Sequence, residues 1–141
     1  DIYFAKIEER GKPATEALKP ILEQEISGYT WPKSMRWNDH NCQWVRPLQN
    51  ICCMLDDTVI AVHFGPKTAN NQTFGHRFMA KGAIPLAHAK DYEAALKKAK
   101  VIANSNDRQQ LITKAVNDGA AAQKLSVVPD AALMEEVTGL V

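Results

Sequence analysis

The densest group of side chains able to do chemistry is Trp31-Pro32-Lys33-Ser34-Met35-Arg36-Trp37, continued by Trp44-Val45-Arg46-Pro47. All three tryptophans stand between positions 31 and 44, interleaved with Lys33, Arg36 and Arg46, and Asp39 is the only acid between 31 and 47. Aromatic faces stack on unpaired bases and Lys or Arg neutralises phosphate, so this mixture suits single-stranded or distorted RNA. It equally suits a core in which tryptophans are large anchors rimmed by cation-π partners, and composition does not separate the two. A second group is Gly75-His76-Arg77-Phe78, followed by Lys81. The planar fork of Arg77 fits a phosphate or carboxylate. His76 reads first as a structural hydrogen-bonding residue, then as a phosphate contact and only remotely as a catalyst, because no acid or nucleophile stands near it in sequence.

The spacings exclude several chemistries. The seven glycines are never closer than seven positions apart, so neither GxGxxG nor GxxxxGK[ST] occurs and the usual phosphate cradles are missing. The four histidines are at least twelve apart, which excludes HExxH and any helical His pair. No serine has the flanking glycines of a nucleophile elbow. His40, Cys42 and the Cys52-Cys53 pair invite a metal reading. Neighbours in a strand point to opposite faces, however, so the pair reads better as buried structural thiols. Asp56-Asp57 reads as a turn and Glu135-Glu136 as a helix surface.

The elements that must position these residues follow from periodicity. Ile2 to Ile7 is β-rich, and a polar turn at Glu9-Arg10-Gly11-Lys12 leads into a helix from Pro13 whose apolar positions Ala14, Ala17, Leu18, Ile21, Leu22 and Ile26 step by three and four. Gly28 is placed to end it, and Pro20 predicts a kink or restart. Strands are expected over Cys42–Leu48, Ile51–Leu55 and Thr58–Phe64, the last two joined as a hairpin by Asp56-Asp57. Gly65 to Gln72 reads as an exposed loop, Thr73 to Met79 as a short strand, and Gly82 as the start of a brief extended stretch. From Lys90 the pattern turns helical. Tyr92, Ala95, Leu96 and Ala99 share one face; Leu111, Ile112, Ala115 and Val116 share another after a cap in Asn104-Ser105-Asn106. Pro129-Asp130 opens a last helix with Leu133, Met134, Val137 and Leu140 on its face, and Ala-rich Asn117–Lys124 reads as the weakest segment, a connector. The fold class is α+β: a small mixed or antiparallel sheet with helices and a helical C-terminal third. As a single module, 1–141 divides into a β-rich part with one helix over 1–89 and a helical part over 90–141.

With 141 residues, 45% hydrophobic and 23% charged, the chain has the composition of one folded domain, or a piece of a larger one. A net charge of +1 provides no global field, so any polyanion site is a local patch. No apolar run approaches the roughly 18 residues a membrane span needs, and the first residues lack a basic leader. Three cysteines make no disulfide framework and fit a reducing compartment, so the expected location is the cytoplasm. The opening on Asp1 without an initiator Met and the uncapped end at Val141 fit a piece cut from a longer protein.

Read in order, Trp31–Trp37, Val45-Arg46-Pro47, Gly75–Phe78, Asp91-Tyr92 with Leu96, Val101-Ile102-Ala103 with Arg108, and Glu135-Glu136-Val137-Thr138-Gly139-Leu140-Val141 resemble the N-terminal half of the β subunit of bacterial glycyl-tRNA synthetase of the two-subunit type. The order and spacing of these blocks carry the resemblance. It implies an internal fragment of a longer subunit with partial B3/B4-like character, and later HD-type and anticodon-binding regions beyond it. It implies a glycine-tRNA ligase in which ATP and Mg act at a separate α subunit and no cofactor is held here. The implied partners are glycine tRNA and that α subunit in a heterotetramer of two α and two β chains, with neither membrane nor DNA. On that basis Lys33, Arg36, Arg46 and Arg77 are expected to contact RNA. Trp31, Met35, Trp37, Trp44, Pro47, His76 and Phe78 are expected to brace the loops that present them, with nothing catalytic. Two other readings stand beside it: a B3/B4-type editing or amino-acid pocket, disfavoured because glycine is the smallest substrate, and a purely architectural docking module. Asn38-Asp39-His40-Asn41-Cys42 departs from the family pattern.

Overall fold

The computed structural model describes residues 3–5, 7, 8, 10–37 and 39–140. Asp1, Ile2, Lys6, Glu9, Asn38 and Val141, which enter some of the readings above, lie outside the described residues. Four α-helices and four two-stranded sheets among the described residues make an α+β chain with a helical C-terminal part and no closed barrel. The chain falls into two compact units, Asp1–Thr73 with Pro85–Ala89, and Phe74–Ile84 with Lys90–Val141.

In the first unit, helix α1 (Ala14–Gly28) starts after Pro13, whose carbonyl accepts from the Glu16 and Ala17 amides at 3.0 Å each. It runs through Pro20 without a restart, because Leu18, Leu22 and Ile26 on both sides of the proline pack as one stripe against buried Ile60, Val62 and Ala69. Tertiary packing of an apolar stripe outweighs the one backbone donor that proline removes. The expected N-terminal strand is absent from its described residues: Tyr3, Phe4 and Ile7 are 93%, 91% and 82% exposed and carry no strand pairing. High β-propensity makes a strand only where a partner and a buried face are available.

Strands β1 (Met35–Trp37) and β2 (His40–Trp44) pair antiparallel. The strand expected to reach Leu48 stops at Trp44, before Pro47, which has no amide to extend a ladder. The Asp56-Asp57 hairpin forms as read: β3 (Met54–Leu55) and β4 (Thr58–Val59) pair Leu55 with Thr58, and Asp56 takes φ 54°, a conformation Asp tolerates better than most residues. The long strand expected over Thr58–Phe64 is broken, since the Val62 amide donates to the Ile60 carbonyl at 2.7 Å in a γ-type bend. Beyond it β5 (His63–Phe64) and β6 (Lys67–Thr68) form a second hairpin where a loop was expected. Gly65 at φ +55° followed by proline, whose ring fixes a negative φ, is the combination a type II′ turn needs. Cys52 bridges Asn70 in parallel, beside Ile51 and Cys53 packed on the core. β7 (Gln72–Phe74) pairs with β8 (Ala83–Pro85), so the strand expected to continue to Met79 ends at Phe74.

In the second unit, α2 (Tyr92–Lys98) follows a single 3₁₀ turn and buries Leu96, with Ala99 just beyond its end. The helix closes in a Schellman motif: Val101 N donates to Leu96 O at 2.9 Å, Lys100 N to Lys97 O at 3.2 Å, and Lys100 takes φ 65°. Helix α3 (Ser105–Ala122) has the expected cap, Asn104 Oδ1 accepting from the Asn106 and Asp107 amides at 2.9 and 3.3 Å. It continues through Asn117–Ala122, where a connector was expected, because alanine has the highest helix propensity and one glycine costs only about 1 kcal/mol. Helix α4 (Ala131–Leu140) is capped by Asp130, which accepts from Leu133 N at 3.0 Å. Its packed face is Met134, Val137 and buried Thr138; Leu133 and Leu140, assigned to that face from periodicity, are exposed.

Candidate nucleic-acid interface

The β1–β2 hairpin sorts its side chains by alternation, because successive strand residues face opposite sides. Met35 lies opposite Trp44 and Arg36 opposite Gln43. Trp37 is buried and Cys42 and Trp44 half-buried, while Arg36, Asn41 and Gln43 are exposed. The aromatic side is a continuous stack. Tyr29 lies parallel to Trp31 with ring centroids 5.5 Å apart, Trp31 meets Trp44 edge-on at 5.0 Å, and Trp44 meets Phe64 at 5.4 Å. Phe64 in turn meets Trp37 edge-on at 5.6 Å. All three tryptophans therefore brace the hairpin, as core anchors do. The Nε1 atoms of Trp31 and Trp37 are buried without an acceptor among the described residues.

The cations stand outside this stack. Lys33, Arg36 and Arg46 are exposed; Arg46 Nη1 lies 3.8 Å from Met35 Sδ, a weak acceptor, and Ser34 Oγ donates to Gln43 Oε1 at 3.1 Å beside Arg36. Among the described residues Lys33 and Arg36 make no ion pair or side-chain hydrogen bond. Pro47 is exposed just past the hairpin. Sequence reading missed Tyr29 and Phe64 as members of the stack. Their signal was faint: Tyr29 stands two residues before Trp31, and only the fold brings Phe64 to Trp37.

Two other clusters in the first unit are structural. Glu23 Oε1 on α1 accepts from the His63 amide at 2.8 Å and meets His63 Nδ1 at 2.9 Å, with Lys19 Nζ 4.0 Å away. The hydrogen bonds from His63, side chain first and backbone second, hold the Glu23 carboxyl below its ordinary value. Burial pushes both the Cys52 and Cys53 thiols up, because ionising a thiol beside the core carries a desolvation cost. Cys42 is packed against Gly65. Among the described residues no three His, Cys, Asp or Glu side chains converge on a possible metal position.

The Gly75–Phe78 motif belongs to the second unit and divides its labour residue by residue. A Cβ on Gly75 would collide with Ala99 Cβ and stand 2.7 Å from the Ala99 carbonyl, so glycine permits this close approach to the end of α2. His76 N donates to that same carbonyl at 2.9 Å. His76 Nδ1 then accepts from the Phe78 and Met79 amides, both at 3.2 Å, and so fixes the following turn. Arg77 and Phe78 are the outward pair, Phe78 79% exposed with its ring 6.1 Å from that of His76. Arg108 is a structural residue of the same unit: Nε donates to Thr138 O at 2.8 Å and Nη1 to Ile102 O at 2.7 Å, tying α3 to the end of α4. Glu135 and Glu136 are exposed on α4.

Sequence comparison puts this aromatic-braced, cation-bearing chain among the subunits of aminoacyl-tRNA synthetases. The family model described as "Glycyl-tRNA synthetase beta subunit" matches residues 1–141, and the chain belongs to that family. Among its relatives, the glycine–tRNA ligase beta subunit of Cereibacter sphaeroides is 44% identical over 99% of this chain. Those of Dinoroseobacter shibae and Rickettsia bellii are 41% and 36% identical over 100% and 98% of it. The chain spans about a fifth of the length of these curated relatives, 21%, 20% and 21% respectively. Among the described residues no helix is long and apolar enough to cross a membrane.

Proposed function

We propose that this chain is a non-catalytic part of a glycine–tRNA ligase β subunit that binds and positions glycine tRNA for glycylation at a partner α subunit. On this proposal ATP and Mg act on the α chain, the assembly contains two chains of each kind, and it works in the cytoplasm. The observation that carries the reading is the two-sided hairpin: its aromatic side joins a contiguous set of five rings in which Trp37 and Phe64 are buried, leaving Lys33 and Arg36 exposed and, among the described residues, unpaired, with Arg46 beside them. A rigid backing of this kind holds cationic heads ready for phosphate without costly ordering on binding. Arg77 adds a further cation from the second unit.

The test is binding of glycine tRNA to the assembled α and β subunits over a range of salt. Replacing Arg36 and Arg46 together by Ala is expected to lower the slope of log affinity against log salt by about 0.7 to 0.9 for each phosphate no longer neutralised, with unchanged folding. An unchanged slope with unchanged charging would overturn the proposal. One observation favours the docking module instead: a groove of about 480 Å³ between α3 and α4, lined by Ile112, Val116, Val127, Leu133, Met134 and Val137. Polar substitutions there that weaken association with α and leave tRNA affinity intact would support that reading.

A further inference from the structure

Between Phe74 and Lys100 the sequence holds six cations, Arg77, Lys81, Lys90, Lys97, Lys98 and Lys100, against two acids, Asp91 and Glu93, in a chain whose net charge is only +1. The fold gathers part of this charge. The close approach of Gly75 to Ala99 and the hydrogen bond from His76 N to Ala99 O bring the Arg77–Met79 turn to the end of α2, where Lys97, Lys98 and Lys100 stand. Among the described residues Arg77, Lys97, Lys98 and Lys100 have no ion-pair partner. On that turn Phe78 is 79% and Met79 65% exposed, although the backbone beneath them is fixed by His76 Nδ1. Lys100 also occupies the left-handed position of the Schellman motif, at φ 65°, where glycine is the commonest residue.

We propose that the Arg77–Met79 turn and the end of α2 form a second RNA-binding surface, on which Phe78 stacks against an unpaired base and Arg77, Lys97, Lys98 and Lys100 meet the flanking phosphates. This rests on the tRNA-positioning reading and adds to it a substrate feature, a single-stranded or splayed nucleotide. An exposed aromatic side chain on a hydrogen-bonded turn, with cations on the element that the turn meets, is a combination by which proteins hold unpaired nucleotides. Protein-docking surfaces, by contrast, are depleted in lysine.

The experiment measures binding of unmodified glycine tRNA to the assembled α and β subunits in a salt series, with four variants. Phe78→Ala is expected to weaken binding about tenfold at constant salt slope, as removal of one stacked base does, and Phe78→Tyr to stay close to the parent. Lys98→Gln is expected to lower the slope by the increment of about one phosphate. Lys100→Gly is the discriminating variant: it relieves the backbone, so the fold should hold or gain stability while the slope again falls by the same increment. Unchanged tRNA affinity in Phe78→Ala overturns the proposal, and so does weakened subunit association with intact tRNA affinity, which would make the surface a protein interface. If Arg36→Ala/Arg46→Ala lowers the slope while these variants do not, only this second surface fails. If neither set changes it, the tRNA-positioning reading fails as well.

Discussion

At the scale of single residues, space and backbone conformation decide what each glycine permits. Gly65 lies at φ +55°, and a Cβ there would collide with Cys42 Sγ and stand 3.1 Å from the Trp37 ring. Gly65→Ala therefore combines left-handed strain with overpacking beneath the aromatic stack and is expected to cost about 3 kcal/mol. Gly119, inside α3, has nothing within 4 Å of the position its Cβ would take. Gly119→Ala is expected to raise stability by up to about 1 kcal/mol through helix propensity alone. Urea midpoints of the two variants should move in opposite directions; a neutral Gly65→Ala would show that the β5–β6 turn can relax. Such tertiary roles are hard to read from sequence. Gly65-Pro66 reads as loop punctuation because both residues mark turns of any kind, and only the pairing of Phe64 with Lys67 makes it a hairpin. His76 reads first as a structural hydrogen-bonding residue, but its partners, the Phe78 and Met79 amides that donate to its Nδ1, are named only by the fold.

At the scale of elements, local chemistry was legible and partnership was not. The Asp56-Asp57 hairpin and the Asn104 and Asp130 caps follow from turn and capping preferences that act within four residues, and all three form. The stretch before α1 shows the opposite case, because Tyr3, Phe4 and Ile7 have strand propensity but pair with no strand among the described residues. The contact of α1 with β5 was invisible for the same reason: Glu23 and His63 are 40 residues apart. That contact carries a pH dependence with a definite sign. Its hydrogen bonds hold the Glu23 carboxyl below its ordinary 4.5, so the unfolded chain takes up the proton first as pH falls. The stabilisation is then fully present above 4.5 and is lost as pH drops through the lower folded value. Denaturation midpoints should fall on acidification from 4.5 downward, and Glu23→Gln should lose that part of the fall. A variant with the full acid response would assign it to other carboxylates.

For the whole molecule, the division into two units separates the spectroscopic reporters as well as the chemistry. Every tryptophan, and every cysteine, belongs to the first unit. Most of the helix belongs to the second, α2, α3 and α4 having 7, 18 and 10 residues against the 15 of α1. The α+β class and the helical C-terminal part were legible because they rest on periodicity summed over long stretches. The boundary between units was not, since Phe74–Ile84 joins the helical residues while Pro85–Ala89 returns to the first unit. Sequence order alone places that whole stretch with the strands. The assignment of Arg108 can be tested through these reporters. Its guanidinium donates to Thr138 O and Ile102 O, and Arg108→Ala leaves both carbonyls without their charged donor, a loss of about 2 kcal/mol. The denaturant midpoint followed by ellipticity should fall accordingly, and Arg108→Lys, with a single compact head in place of the fork, should recover only part of it. An unchanged midpoint in the alanine variant would mean that water replaces the guanidinium at both carbonyls, and that α4 is held by the packing of Met134 and Val137 alone.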